Sequence, residues 1–173
     1  MAVFPIRLFG DPVLRERARE IELVDESVKK LMRDMTQTMV AAPGVGLAAP
    51  QIGVRRRVIV WQNEDERGAL ANPKIVDQRG RVEDDEACLS LPGLSYPVSR
   101  AQWVVVTGLG EDGVETSVEA SGLTARIFQH EIDHLDGVLF IDHLSAELQR
   151  AAKRLLREQA LSGVTPSASS AIL

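Results

Sequence analysis

The chain has 173 residues, a formal charge of −5 and the apolar and charged content of an ordinary globular protein, which suits one domain around a single core. A sequence pI of about 5.3 gives no electrostatic case for binding DNA or RNA, and no apolar run approaches the roughly 20 residues needed to span a bilayer. The single cysteine, Cys88, rules out an internal disulfide and suits a reducing, cytoplasmic setting.

The N-terminal stretch MAVFPIRLFGDP is broken by Arg7 and Asp11 and does not read as a signal peptide. Asp11-Pro12 opens a short helical turn in FGDPVLRERA. From about Asp25 to Ala42 the pattern predicts an amphipathic helix, with Val28, Leu31, Met32, Met35 and Met39 at helical spacing. Asp25 or Ser27 caps it, and Pro43-Gly44 stops it. The methionines read as core.

A loop follows, APGVGLAAPQIG, from Ala42 to Gly53. RRRVIVWQ (Arg55 to Gln62) and ANPKIVDQ (Ala71 to Gln78) read as strands, and the run Arg55-Arg56-Arg57 as a solvated strand edge. After RVEDDEACLSLPG, the segments AQWVVVTGLG and VETSVEASG form a hairpin around Glu111-Asp112-Gly113. LTARIFQHEIDHL, Leu123 to Leu135, is a helix with Gly137 just past its end. Ser145 caps a last helix whose Arg150, Lys153, Arg154 and Arg157 read as a solvated face. The tail, about residues 162–173, is small and polar and is expected to fray. Strands in the middle and helices at both ends make the expected class α+β.

Two of the three histidines, His130 and His134, lie four apart on the helix of RIFQHEIDHLDG. They project side by side and can close on one metal ion. Glu131 points one step round, where it suits handling a water activated by the metal. A buried helix bearing these groups must satisfy them, because unpartnered polar groups cost several kcal/mol.

A catalytic site of this kind takes a third protein ligand and leaves a position open. A metzincin continuation fails, because the last histidine position holds Phe140. Glu147 and Glu158 are available for a thermolysin-like endopeptidase. His143, in FIDHLS, suits a solvated or structural role. Cys88 is either a small core residue or a thiolate whose charge balances a divalent ion. Spacing alone leaves these alternatives open.

GVGLAAPQIG (Gly44 to Gly53), EACLS (Glu86 to Ser90) and QHEIDH (Gln129 to His134) occur in that order, preceded by GDPVLR. Together they resemble the three signature motifs of peptide deformylase, over a span from the N-terminal arm to the last helix. The resemblance implies an α+β fold with antiparallel strands around the central HExxH helix. It implies removal of the formyl group from N-formylmethionine at the start of new proteins. Cys88, His130 and His134 would hold the metal, Fe²⁺ in the cell, with Zn²⁺, Ni²⁺ or Co²⁺ able to substitute.

Glu131 would be the general base, with the Gln51 amide and the Leu89 N–H meeting the developing oxyanion. Val45, Gly46 and Ala87 would line the peptide as an added strand, and Val45, Leu123 and Ile127 the methionine pocket. Asp133 and Asp136 could steady a ligating histidine, though surface helix charge is the plainer reading. The basic last helix could touch the ribosome. One position departs from the family: its EGCLS is EACLS here. Ala87 would cost about 1 kcal/mol if its φ were positive and little if extended, and it is the one sequence hint of a catalytically silent, peptide-binding relative.

Overall fold

Asp25 starts the first long helix, its carboxylate accepting from the backbone N–H of Val28 at 2.9 Å. The computed structural model describes residues 2–63 and 66–163. In it α1 runs Glu26–Ala41 and buries Met32, Met35 and Met39. Truncating one such methionine to alanine typically costs about 2–5 kcal/mol. Asp11 likewise caps a 3-10 turn, Pro12–Arg15, which buries Leu14.

Among the described residues seven strands follow: β1 Gly46–Ala48, β2 Val58–Gln62, β3 Arg67–Arg79, β4 Val82–Cys88, β5 Leu91–Arg100, β6 Trp103–Leu109 and β7 Glu115–Ser121. Five form an antiparallel sheet in the order β1-β2-β3-β6-β7, and β4 and β5 form a separate pair. The remaining α-helices of the described residues are α2, Gly122–Leu135, and α3, Ala146–Ser162. This is the expected α+β arrangement.

The sheet lies between two helices because β2 alternates with period two. Val58 and Val60, with Ala69 and Ala71, pack on the α1 methionines. Ile59 and Trp61, with Leu70, Val104 and Val106, pack on Ile127, Phe128, Ile132 and Leu135 of α2. The Trp61 and Phe128 rings meet edge to face, 4.8 Å between centroids. A third cluster joins Leu91, Leu94 and Val98 of β5 to Leu139, Phe140 and Ile141 after α2 and to Ala152 and Leu156 of α3. Gly137 ends α2 with φ +75°, and a Cβ there would stand 2.6 Å from the Arg15 carbonyl oxygen. Only glycine fits that close approach.

Some expectations need correction. β2 begins at Val58 rather than Arg55, because Arg57 is drawn inward: it is buried and donates to Asp136 Oδ1 at 2.7 Å and to the Leu135 carbonyl at 3.3 Å. Arg55 and Arg56 are the exposed remainder of that run. β3 extends beyond the expected Ala71–Gln78 at both ends, with a register shift around Pro73, where a residue lacking an N–H is tolerated. The loop expected from Ala42 to Gly53 contains β1 and a 3-10 turn, Ala49–Ile52. RVEDDEACLSLPG contains all of β4 and opens β5. Of the tail expected to fray, about residues 162–173, Ser162 is the last residue of α3 and Gly163 its cap, and residues 164–173 lie outside the described residues.

Candidate metal centre and active site

The β4–β5 bend delivers Cys88, and the middle of α2 delivers His130 and His134. One ligand atom from each of the three lies within 4.8 Å of the others, and all three residues are buried. His134 Nε2 stands 3.3 Å from Cys88 Sγ. Glu147 and Glu158 sit instead at exposed positions of α3, and Glu158 pairs with Arg154. Cysteine is thus the third donor that folding brings to the histidines.

His130 Nδ1 lies 3.0 Å from Glu86 Oε2. A carboxylate accepts there, so Nδ1 carries the proton and Nε2 keeps its lone pair. Arg100 holds the same carboxylate with two nitrogens, Nε to Oε1 at 2.7 Å and Nη2 to Oε2 at 3.0 Å. Burial works to raise Glu86, but hydrogen bonds from His130 and Arg100, with their charges, hold it far below the usual carboxylate range.

Burial pushes the Cys88 thiol up to about 12 and holds His134 well below the ordinary imidazole value, with His130 adding to the effect. Glu131 is completely buried. Desolvation, reinforced by Glu86, drives it well above the ordinary value of 4.5.

His130 Nε2, His134 Nδ1 and both oxygens of Glu131 are buried without a hydrogen-bond partner among the described residues. Orphans of this kind are rare and point to an absent ligand. Two imidazoles and a buried thiol, whose thiolate a cation would stabilise, form a soft donor set. The residues fit a transition-metal ion.

Gln51 is buried beside this set. Its Oε1 accepts from Ala48 N at 2.8 Å, which aims Nε2 at Cys88 Sγ, 3.7 Å away, and at Ser90 Oγ, 3.3 Å away. Leu89 follows Cys88 at the same bend and is buried. Gly46 lies against Glu131: an added Cβ would collide with Glu131 Oε1, 3.0 Å from its Cδ and 2.9 Å from Ile127 Cγ2. Val45 is half-buried against the α2 cluster and Ile127 is fully buried. Leu123 is 43% exposed, on the first turn of α2. Ala87 pairs with Ser95 in β4–β5 and is not among the residues with positive φ, so the departure from EGCLS carries no left-handed strain.

Asp133 is not the surface charge expected. It is half-buried and takes Arg100 Nη1 and His143 Nε2, each at 2.7 Å. Neither ligating histidine is among these partners. Asp136 is more exposed and pairs with Arg57. Sequence reasoning missed Glu86, Arg100 and Arg126 as parts of the site. The available signal was an arginine at 126 flanked by apolar residues, one helical turn before His130.

A family model described as Polypeptide deformylase matches residues 3–150. A relative from Acidothermus cellulolyticus named peptide deformylase is 51% identical over 95% of this chain and 92% of its own. The crystal structure of a peptide deformylase from Legionella pneumophila superposes with a TM-score of 0.88 at 41% identity, covering 95% of this chain and 100% of that one. One from Ehrlichia chaffeensis, in complex with actinonin, gives 0.89 at 37% identity, covering 92% and 98%.

Proposed function

The chain belongs to the peptide deformylase family, and from that premise we propose how its residues carry out the family's reaction. It is a metal-dependent hydrolase that removes the N-formyl group from the N-terminal formylmethionine of newly made proteins, releasing formate. The observation that carries the assignment of roles is the buried trio Cys88, His130 and His134 beside an unsatisfied Glu131.

Cys88, His130 and His134 hold one divalent ion, Fe²⁺ in the cell, with Zn²⁺, Ni²⁺ or Co²⁺ as substitutes. When bound, the ion supplies a Lewis acid that polarises the formyl carbonyl and makes water easier to deprotonate. Glu131 takes the proton of the attacking water and returns it to the departing amine. The Gln51 amide and the Leu89 N–H donate to the formyl oxygen as charge develops on it.

β1 is a three-residue strand at the sheet edge. An extended peptide is expected to add there, along Val45 and Gly46 on one side and Ala87 on the other. Val45, Leu123 and Ile127 receive the methionine side chain. We assign residues 1–173 to one catalytic domain, acting in the cytoplasm on formylmethionyl peptides, with α3 meeting the ribosome transiently. No helix of the described residues is long and apolar enough to cross a membrane.

Formate release from formyl-Met-Ala-Ser, compared with acetyl-Met-Ala-Ser, tests the reaction. Release from the formylated peptide alone is expected, and cleavage of internal peptide bonds instead would contradict it. Two variants test the assignments. Gly46→Ala pushes against Glu131 and Ile127. A displacement approaching 1 Å costs on the order of 10²-fold in rate, so kcat should fall with the metal content unchanged. Ala87→Gly should leave kcat/KM near its starting value, because Ala87 is unstrained. It should lower stability in urea by about 0.5–1 kcal/mol, the usual entropic effect of glycine in a strand.

A further inference from the structure

α2 shows different faces to its two neighbours. Ile127, Phe128, Ile132 and Leu135 pack on the five-stranded sheet. Arg126, Gln129, His130 and Asp133, spaced i, i+3, i+4 and i+7, form a polar edge along the helix, and every one of them bonds to β4–β5 or to the residue just after it. Gln129 exchanges two hydrogen bonds with the backbone of Ala101, at 2.9 and 3.0 Å. Asp133 takes Arg100, and His130 meets Glu86.

This seam must do work that a ladder does elsewhere. β4 and β5 pair with each other and with no other described strand. Their apolar side chains join the cluster of α3 and the turn after α2. The spacing between Cys88 and the two histidines therefore depends on contacts across the polar edge as well as on the apolar cluster that holds Cys88 and Phe140.

Arg126 makes the most of these. Its Nη1 donates to Glu86 Oε1 at 2.8 Å, to the Val98 carbonyl at 2.9 Å and to the Asp84 carbonyl at 3.3 Å, and its Nη2 to the Val82 carbonyl at 3.2 Å. One buried guanidinium thus grips both strands of the hairpin and the carboxylate that fixes His130. The planar fork matters, because a lysine ammonium is a compact point charge that cannot reproduce it.

We propose that Arg126 is a positioning residue that sets the register of the Cys88 hairpin on the histidine helix, and so governs how tightly, and with which donors, the metal is held. This rests on the metal-hydrolase reading above. Arg100 alone still grips both oxygens of Glu86, so loss of Arg126 leaves that carboxylate neutralised and acts on the register of Cys88.

The test loads wild type, Arg126→Gln and Arg126→Lys with Co²⁺. Affinity is read by chelator competition, and the thiolate-to-cobalt charge-transfer band reports whether Cys88 is bound. Cys88→Ala defines the spectrum without that band. Arg126→Gln should bind about 10- to 100-fold more weakly and show a diminished band even at saturating Co²⁺, with Arg126→Lys in between. Affinity within about twofold of wild type, set against that 10- to 100-fold expectation, together with a full band in a folded variant would overturn the proposal and leave Arg126 a structural clip. If Arg126→Gln does not fold, Arg126→Lys decides by the same two readouts. A wild type that itself lacks the band would refute the metal assignment along with this proposal, whereas a normal wild-type band with unaffected variants would refute this proposal alone.

Discussion

Glu131→Gln is expected to lower formate release by between about 10²- and 10⁴-fold, the usual range for loss of a positioned acid–base group, while metal content stays at the wild-type level. The amide keeps the shape of the side chain and cannot accept the proton. The same substitution should raise the stability of the metal-free protein. Both oxygens of Glu131 are buried without a partner among the described residues, and burial holds the carboxyl well above its ordinary value of 4.5. The unfolded chain loses that proton as pH rises through 4.5 and the folded chain holds it, so the native carboxyl disfavours folding above that pH. Glutamine does not titrate. The metal-free variant should therefore melt above metal-free wild type at pH 7, and the difference should shrink below pH 4.5. A variant that melts lower at pH 7 would show that the buried amide costs more than the desolvated carboxyl and would overturn this expectation. Activity and stability are set against each other at this residue, as is common where a polar group is kept unsatisfied for chemistry.

Cys88→Ala is the second large effect. It removes one of three donors, so affinity should fall by more than the roughly 10- to 100-fold that loss of a supporting contact costs, and formate release should fall with it. Glu158→Ala and Glu147→Ala should change neither, because both residues lie exposed on α3. Metal analysis of the three variants after dialysis distinguishes this donor set from the endopeptidase alternative, in which a glutamate completes the site. Retained metal in Cys88→Ala would sink the assignment.

Much of this was legible in the chain. α1 was legible because its cap, its methionine spacing and its Pro-Gly stop agree with one another. The β6–β7 hairpin shows apolar runs around a turn. The HExxH helix is announced by two histidines four apart among apolar residues. Other elements gave poor signals for physical reasons. β1 is three small or aliphatic residues inside a glycine- and proline-rich loop, and pairing with β2, a tertiary event, makes it a strand. β4 begins with an exposed acidic run that does not alternate, and β5 contains Pro92 and Pro97, residues that argue against a strand. The charges were the hardest to place. Arg57, Glu86, Arg100 and Arg126 are all buried, yet each looks like surface in a sequence, because the partners that permit burial lie far along the chain. Glu86 meets Arg126 across forty positions. Motif resemblance supplied Cys88 and Gln51, which periodicity alone would have left as a core thiol and a loop amide.

The most direct test of the central claim is formate release from formyl-Met-Ala-Ser, measured on protein purified without oxygen, with metal content determined on the same sample across a chelator series. Release should fall in proportion to bound metal, vanish when metal is gone, and return on adding Fe²⁺, Ni²⁺ or Co²⁺. Release that persists in fully metal-free protein, or fully loaded protein that yields no formate, would contradict the account.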